Sequence, residues 1–213
     1  MNTEDLIKEL SRDASAVSPR ALEKRMALGG ASGILASAAI VILWLGFRPD
    51  LETAAISSAF LIKMTYTAAL AVCAVAASVH LMRPDARPAV WFALPVIPFA
   101  LLGLLAMAEL AGAPREDWAS IALGQSVAAC IVRISIISVP VFLGLLLAAR
   151  RLAPTHLRAA GTAIGFASGS LAAGLYALHC IESSASFIFL WYSLAIALAA
   201  AIGAIVAPLF LRW

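Results

Sequence analysis

Residues 120–149 read SIALGQSVAACIVRISIISVPVFLGLLLAA, and Arg133 is the one charged residue in this stretch. A helix rises about 1.5 Å per residue, so roughly 20 apolar residues cross the ~30 Å hydrocarbon core of a bilayer. Apolar and polar residues do not alternate along the stretch, as they would in a transmembrane β-strand. The stretch therefore predicts a membrane-spanning helix.

The composition of the whole chain supports the same interpretation. Of the 213 residues, 63% are hydrophobic and 13% are charged, and the mean hydropathy is +0.97, whereas about a quarter of a soluble domain is charged. This argues against a soluble enzyme. The net charge of +3 is spread along the chain, which argues against direct binding of nucleic acid. Three widely separated cysteines fit neither a disulfide scaffold nor a Cys-x-x-Cys zinc site.

Five other stretches have the same length and apolar character. Together they predict six transmembrane helices, at residues 26–46, 57–82, 89–111, 120–149, 158–180 and 187–211. The predicted fold class is therefore an all-α integral membrane protein, with a six-transmembrane-helix bundle at residues 26–213. Residues 1–25, called the leader below, lie outside the membrane and contain a short helix. We expect Pro95, Pro98 and Pro140 to kink the helices that contain them.

The basic residues predict the orientation of this bundle, because cytoplasmic segments carry an excess of Lys and Arg. With the N-terminus inside, Arg48 and Arg115 face outward, and Lys63 and Arg133 lie within helices. The other eleven of the fifteen basic residues then face the cytoplasm. Both termini are therefore expected in the cytoplasm. The eleven residues are Lys8, Arg12, Arg20, Lys24, Arg25, Arg83, Arg87, Arg150, Arg151, Arg158 and Arg212.

The leader has the pattern of a short amphipathic helix. Thr3 stands in an N-cap position before acidic residues, and Leu6, Ile7 and Leu10 lie near one face. A helix of about ten residues is marginal alone in water, so this face needs a membrane surface, the protein's own loops or a soluble partner. Acidic residues predominate, which argues against an anionic lipid surface. Two interpretations stay open. In one, a partner protein is bound by Thr3, Asp5, Leu6, Ile7 and Leu10; in the other, the leader is simply solvated.

Lys63, Glu109 and Arg133 are charged residues inside the predicted spans. Counting along the helices places all three in the outer third of the membrane, where charges reach the interface or pair with one another. We expect Glu109 to pair with Arg133 or Lys63 and to stabilise the bundle. The core lacks a chain of acidic residues, which argues against a pump or channel.

Small residues recur along the fifth predicted helix. Gly161, Gly165 and Gly169 are spaced four apart, a pattern that favours close helix packing. Such a face packs within one bundle or between two copies of the chain. Packing within the bundle is the expectation, and the oligomeric state stays open.

Eight short motifs lie in order along the whole chain. They are Asp5-Leu6-Ile7-x-x-Leu10, Gly46-Phe47-Arg48-Pro49-Asp50-Leu51, Lys63-x-x-Tyr66, Gly124-x-Ser126-x-x-x-Cys130-x-x-Arg133-Ile134, Ala153-Pro154-Thr155, Tyr176-Ala177-Leu178-His179-Cys180-x-Glu182, Phe187-x-x-x-Trp191-Tyr192 and Leu211-Arg212-Trp213. Together these motifs resemble those of the NrsF family of bacterial membrane anti-sigma factors (negative regulator of sigma F). The most specific are the His-Cys segment and the Arg-Pro-Asp turn, and Ile181 and Ser186 depart from the family pattern, which usually has proline there.

The resemblance implies a function at the bacterial inner membrane. A family member of this kind has six spans, and its cytoplasmic N-terminal segment holds an extracytoplasmic-function sigma factor away from RNA polymerase. The resemblance also implies that Cys130 and Cys180 take part in sensing a periplasmic stress signal, an oxidant or a heavy metal. The protein is then a regulator and not an enzyme, and its partners are the sigma factor and the lipid bilayer.

The positions of the cysteines are consistent with that implication. Cys130 lies 19 residues from Ala149, and Cys180 lies 22 residues from Arg158, so both are near the outer face at about 28 and 33 Å from the inner one. There the thiols are expected to form a disulfide or to share a thiophilic metal ion with His179. Apart from such a transient metal ion, no cofactor is expected. The alternative is that cysteines are small apolar filler, which is the interpretation for Cys73.

Two other classes of function stay open at this stage. A membrane thiol oxidoreductase would also place cysteines near the outer face, although such enzymes generally use two cysteine pairs. A small transporter is less consistent with the sequence, because the chain has no internal repeat.

Overall fold

The computed structural model describes residues 3–5, 20–83, 86–150, 152 and 154–211. All regular secondary structure in these ranges is helical, which confirms the predicted all-α class. Six long helices account for most of the described residues. They are α1 (Ala21–Ile40), α2 (Ser58–Leu81), α3 (Val96–Ala111), α4 (Val127–Ala149), α5 (Leu157–Ala177) and α6 (Ser193–Leu211).

Short helical pieces extend several of these helices. The extensions are the π-helical turn Val41–Leu45 after α1, Pro88–Ala93 before α3, Arg115–Asp117 and Trp118–Leu123 before α4, and Ala185–Phe187 with the π-helical turn Ile188–Tyr192 before α6; Leu51–Ala54 is a separate turn. With them, five helical segments are long and apolar enough to cross a membrane: Ala21–Leu45, Ser58–Leu81, Pro88–Ala111, Arg115–Ala149 and Ala185–Leu211.

Helix α5 is not among these five segments, and it is rich in Gly, Ala and Ser. It lies at the centre of the bundle and contacts α6, α2 and α4. Thirteen of its 21 residues are buried. A helix enclosed by other helices touches little lipid, so its composition is set by close packing rather than by hydropathy.

Two helix pairs approach backbone to backbone at glycine. At the contact of α5 with α6, a Cβ added at Gly161 would overlap the carbonyl oxygen of Gly203. At the contact of α1 with α4, a Cβ added at Gly29 would overlap the carbonyl oxygen of Gly144. The small residues of the fifth predicted helix therefore pack within one bundle, as expected.

Two predicted helices are interrupted. The third predicted span breaks at Leu94 and Pro95, and α3 begins at the next residue. We expected one continuous helix over 120–149, and this was wrong: the helix breaks at Gly124, where φ is 55°. Glycine adopts this left-handed conformation without steric cost. Helix α4, in contrast, continues through Pro140.

Helix α5 ends earlier than the sequence predicts. We expected a helix to Cys180, but the last helical residue is Ala177, and Cys180 lies in the following loop. The chain leaves the helix in a tight turn in which the N–H groups of His179 and Cys180 both donate to the carbonyl oxygen of Tyr176, each at 3.0 Å. A shared carbonyl of this kind is typical of a helix C-terminus.

The buried residues form two clusters, one towards each end of the bundle. One contains Cys130 and Cys180, and we call that end the cysteine end. The other contains Met26, Leu81 and Leu146. The end of the bundle beside it carries Arg83 and Arg150, and we call it the arginine end.

Candidate functional site

The candidate site is the loop between α5 and the helical turn Ala185–Phe187, residues 178–184, called the Cys180 loop below. It crosses the cysteine end of the bundle. Side chains or backbone groups from the segments that end α1, begin α2, end α3 and begin α4 all bind this loop or the helical turn after it. A change in the conformation of the loop therefore alters contacts with several helices directly.

Cys130 and Cys180 lie together in the buried cluster of this end. Cys130 is 0% exposed and Cys180 is 3% exposed, and both thiols are free. The rings of Tyr176 and Tyr192, 6.1 Å apart, belong to the same cluster. Cys73, on α2, is also free but half-buried and outside the cluster. The structure thus separates Cys73 from the other two, and it encloses the two thiols of the cluster.

Lys63 reaches the Cys180 loop from α2. Its side chain is fully buried, and its ammonium group donates to the carbonyl oxygen of Cys180 at 3.2 Å. The same group also donates to the carbonyl oxygen of Glu182. It lies 5.7 Å from the ring centroid of Tyr192, within the range of a cation–π contact. Lys63 therefore binds the loop through backbone oxygens and an aromatic ring.

His179 links the loop to α1 and α4. Its Nδ1 lies 3.0 Å from the carbonyl oxygen of Gly46, and its Nε2 lies 3.0 Å from Nη1 of Arg133. A carbonyl oxygen only accepts and a guanidinium only donates, so the neutral ring carries its proton on Nδ1 and accepts at Nε2. Both ring nitrogens are occupied, and a metal ion would have to displace Arg133. Among the described residues, no group of three His, Cys, Asp or Glu side chains is arranged to hold a metal ion.

Glu109 does not form the ion pair that we expected with Arg133 or Lys63. Its carboxylate, at the end of α3, instead accepts from the backbone N–H groups of Ala185 and Ser186, at 3.2 and 2.8 Å. It also accepts from the hydroxyl groups of Ser184 and Ser186. These N–H groups begin the helix that continues into α6, and a helix N-terminus favours negative charge.

Glu182 makes a similar contact with the beginning of α4. Its carboxylate accepts from the backbone N–H of Gln125 at 2.9 Å and from the hydroxyl of Ser126 at 3.0 Å. Both residues follow the break at Gly124, where a Cβ would lie only 2.9 Å from the Glu182 carboxylate oxygens. The helix break and the absence of a side chain at Gly124 thus leave space for the Glu182 carboxylate at the start of α4.

Arg48 binds the other side of the loop. Its guanidinium donates two hydrogen bonds to the Asp50 carboxylate, both at 2.7 Å, and a further long one, at 3.5 Å, to the carbonyl oxygen of Cys180. Its backbone N–H donates to the carbonyl oxygen of Leu178 at 3.1 Å. The hydrogen bonds between the two side chains raise the pKa of Arg48 and lower the pKa of Asp50.

Two of the five predicted partner-binding residues, Thr3 and Asp5, lie in the described part of the chain. Residues 3–5 are helical and exposed, which places Thr3 and Asp5 in contact with solvent. Leu6, Ile7 and Leu10 lie outside the described residues. The proposed contact surface of the leader therefore stays a prediction.

Sequence reasoning placed Lys63, Arg133, His179 and the two cysteines near one another in depth, and the structure brings all five to the cysteine end. It did not identify Glu182 or Tyr192 as part of the site. The Glu182 contact depends on the helix break at Gly124, and Tyr192 is fully buried rather than exposed at an interface. The one feature of the local sequence that indicated this break was Gly124 itself.

These features define a polytopic helical protein of the membrane type, with two enclosed cysteines, one on a helix and one in a loop that several helices bind. The sequence model of one protein family, described as "Negative regulator of sigma F" (NrsF), matches residues 10–213. The chain belongs to this family.

Two curated relatives match over their full length and the full length of this chain. The chain is 35% identical over 219 residues to the "Probable anti-sigma-F factor NrsF" of Azospira oryzae. It is 33% identical over 214 residues to the "Anti-sigma-F factor NrsF" of Caulobacter vibrioides. No solved structure matches the chain. The family is regulatory rather than catalytic.

Proposed function

We propose that this chain is an anti-sigma factor that holds an extracytoplasmic-function sigma factor at the bacterial inner membrane. The observation that carries the proposal is the match, along the entire chain, to two proteins named as anti-sigma-F factors. The leader binds the sigma factor, and a periplasmic oxidant or heavy metal acting near Cys130 and Cys180 releases it.

In this proposal the chain spans the membrane six times, through the five apolar segments named above and through α5. Helix α5 has 21 residues and runs along α6, α2 and α4, so it has the length to cross with them. An even number of spans leaves both termini on one side. The excess of basic residues at the arginine end supports a cytoplasmic position for that end.

The Cys180 loop supports the proposed sensing role. A disulfide or a shared metal ion would fix the separation of the two thiols, which are free in this structure. Because Lys63, Arg48 and His179 bind the loop to other helices, a change in this separation would alter the packing of several helices together. The bundle then has two arrangements, and the leader holds the sigma factor in one and releases it in the other.

Deletion of residues 2–13 tests the tether. We expect transcription of the sigma regulon to rise in unstressed cells to the level seen without the protein, because the sigma factor is no longer held. Membrane levels of the truncated protein, measured by immunoblotting, control for loss of the bundle. Low transcription at normal membrane levels would contradict the proposal.

Serine substitutions test the sensor. Cys130→Ser and Cys180→Ser should each abolish induction by oxidants and heavy metals while repression persists. Cys73→Ser is the matched control and should remain inducible, because Cys73 lies outside the buried cluster. Persistent induction in both of the first two variants would remove the cysteines from the mechanism.

The alternative of a thiol oxidoreductase has less support. Such enzymes generally use two cysteine pairs, and the chain has three cysteines. Disulfide exchange with a dithiol substrate at catalytic turnover would favour the enzyme, and solute flux in proteoliposomes would favour the transporter.

A further inference from the structure

Lys63 is a buried cation that binds backbone carbonyl groups. Lys63 is 1% exposed, and no carboxylate lies within ion-pair distance of its ammonium in the described part of the chain. Removing an ammonium from water is costly unless its donors are satisfied. The carbonyl oxygens of Cys180 and Glu182 satisfy two of them. The position of the side chain and the position of the loop are therefore interdependent.

The two carbonyl groups lie on either side of Ile181. Because Lys63 binds both, it fixes the three residues 180–182 against α2 at two points. Arg48 reaches the Cys180 carbonyl at 3.5 Å, a longer and weaker contact than the 3.2 Å contact of Lys63. Release of Lys63 would thus leave the Cys180 carbonyl with the longer Arg48 contact alone among the described residues, and would weaken the attachment of the backbone that carries the Cys180 thiol.

The opposite end of α2 lies beside the base of the leader. Leu81 and Met82 are fully buried there in the cluster that contains Met26 of α1. Arg83 follows directly and donates to Glu23, in the first turn of α1, at 3.3 Å. Helix α2 therefore connects the Cys180 loop at one end of the bundle to the root of the leader at the other.

We propose that Lys63 is the positioning residue of the Cys180 loop and that α2 transmits the position of this loop to the base of the leader. The transmission step rests on the proposed function of the leader, whereas the positioning of the loop does not. In the arrangement described, both thiols are free and enclosed. Loss of the Lys63 contacts weakens this arrangement relative to any other that the bundle adopts.

Thiol reactivity tests the positioning of the loop. The full chain, with Cys73→Ser and Cys130→Ser so that Cys180 is the one cysteine, is kept in native membranes and treated with N-ethylmaleimide. Lys63→Met should raise the rate of Cys180 alkylation at least about tenfold, the factor that hydrogen bonds to a charged group are worth. Lys63→Arg, which retains the donors, should stay near the parent rate. Equal rates for Lys63→Met and the parent would overturn the proposal.

Thr67→Val is the matched control for this experiment. Thr67 lies one turn further along α2 and is equally buried, but its hydroxyl donates to carbonyl groups of its own helix. Removing that hydroxyl changes the polarity of α2 without touching the loop, so the alkylation rate should not change. If Lys63→Met does not accumulate in membranes, Lys63→Gln replaces it, and an unchanged rate for Lys63→Gln would equally overturn the proposal.

Transcription tests the transmission step in cells with the native cysteines. Uninduced transcription of the regulon should rise several-fold in Lys63→Met and stay at the parent level in Thr67→Val. If Lys63→Met accelerates alkylation and deletion of residues 2–13 raises transcription, but Lys63→Met does not, transmission through α2 is wrong. If the deletion itself has no effect, the proposed function fails, and the alkylation rates still decide the role of Lys63.

Discussion

Charged side chains at the cysteine end bind backbone groups, and Lys63 and Glu109 each bind two of them. Lys63 donates to loop carbonyl groups, while Glu109 accepts from the N–H groups that begin a helix. Helix ends and loops present backbone groups that lack a partner within their own element. Such groups form hydrogen bonds with a charged side chain, which then needs no partner of opposite charge. Spacing along the sequence places two charges at the same depth, but it does not select their partners.

The pair of Arg48 and Asp50 gives a pH-dependent prediction at the residue scale. Hydrogen bonds from Arg48 lower the Asp50 pKa below its ordinary value of 3.8. The carboxylate therefore adds stability that is fully present above pH 3.8 and is lost as pH falls through the lower, folded value. The difference in Tm between the parent and Asp50→Asn should stay constant from about pH 7 to pH 5 and shrink below about pH 4.

Thermal unfolding followed by circular dichroism in detergent measures this difference. Asp117→Asn is the control, because Asp117 is an exposed carboxylate that forms no ion pair among the described residues. It should change Tm less than Asp50→Asn does at neutral pH. A difference for Asp50→Asn that grows on acidification would contradict the assignment.

At the scale of helices, glycine decides which pairs pack most closely. Gly161 of α5 faces Gly203 of α6, and the backbones touch because neither residue has a side chain. Close approach of this kind supplies packing energy between helices that lipid would otherwise surround equally well. The four-residue spacing of glycines predicted such a face, but the partner helix became known from the structure.

Gly161→Ala and Gly112→Ala form a matched pair at this scale. The added methyl at Gly161 overlaps the Gly203 backbone, and its nearest side-chain atom, on Ala207, lies 2.6 Å away. The corresponding methyl at Gly112 has no neighbour nearer than 3.5 Å. We expect Gly161→Ala to lower the free energy of unfolding by about 1–3 kcal/mol, the usual cost of overpacking. Gly112→Ala should change it little, as measured by SDS titration in mixed micelles.

The contact of α1 with α2 at the arginine end is a second element-scale test. Glu23 and Arg83 are about half exposed, and such pairs are worth about 0.2–1 kcal/mol. Glu23→Arg should therefore change Tm little but raise uninduced transcription up to about fivefold, the factor that this energy represents. Adding Arg83→Glu should restore the parent level. Equal transcription in all three proteins would show that this contact carries no signal.

At the scale of the whole molecule, the bundle encloses the one of its six described long helices that is not among the five long apolar segments. Helix α5, rich in Gly, Ala and Ser, lies among α2, α4 and α6, while the segment Pro88–Ala111 is 11% buried over its most apolar window. Apolar residues on a segment of this kind meet lipid, whereas small residues on α5 allow neighbouring helices to approach.

The orientation of the bundle is the prediction at this scale. In a chain whose native cysteines are replaced by serine, Glu116→Cys at the cysteine end should react with a membrane-impermeant maleimide added outside the inner membrane. His156→Cys, at the arginine end, should react only after the cells are lysed. Both positions are exposed, so access depends on the side of the membrane. Labelling of His156→Cys alone from outside would reverse the proposed topology.

The sequence by itself determined the helical class, the approximate positions of the helices and the family, because hydropathy, length and motif order are properties of the chain. It also brought Cys130 and Cys180 to the same depth, since depth along a helix follows from counting residues. The tertiary structure alone decided that Glu109 binds the start of the last helix and that Lys63 binds the Cys180 loop. Partner choice among buried polar groups depends on where helices end and on how they rotate against one another, and a linear pattern specifies neither.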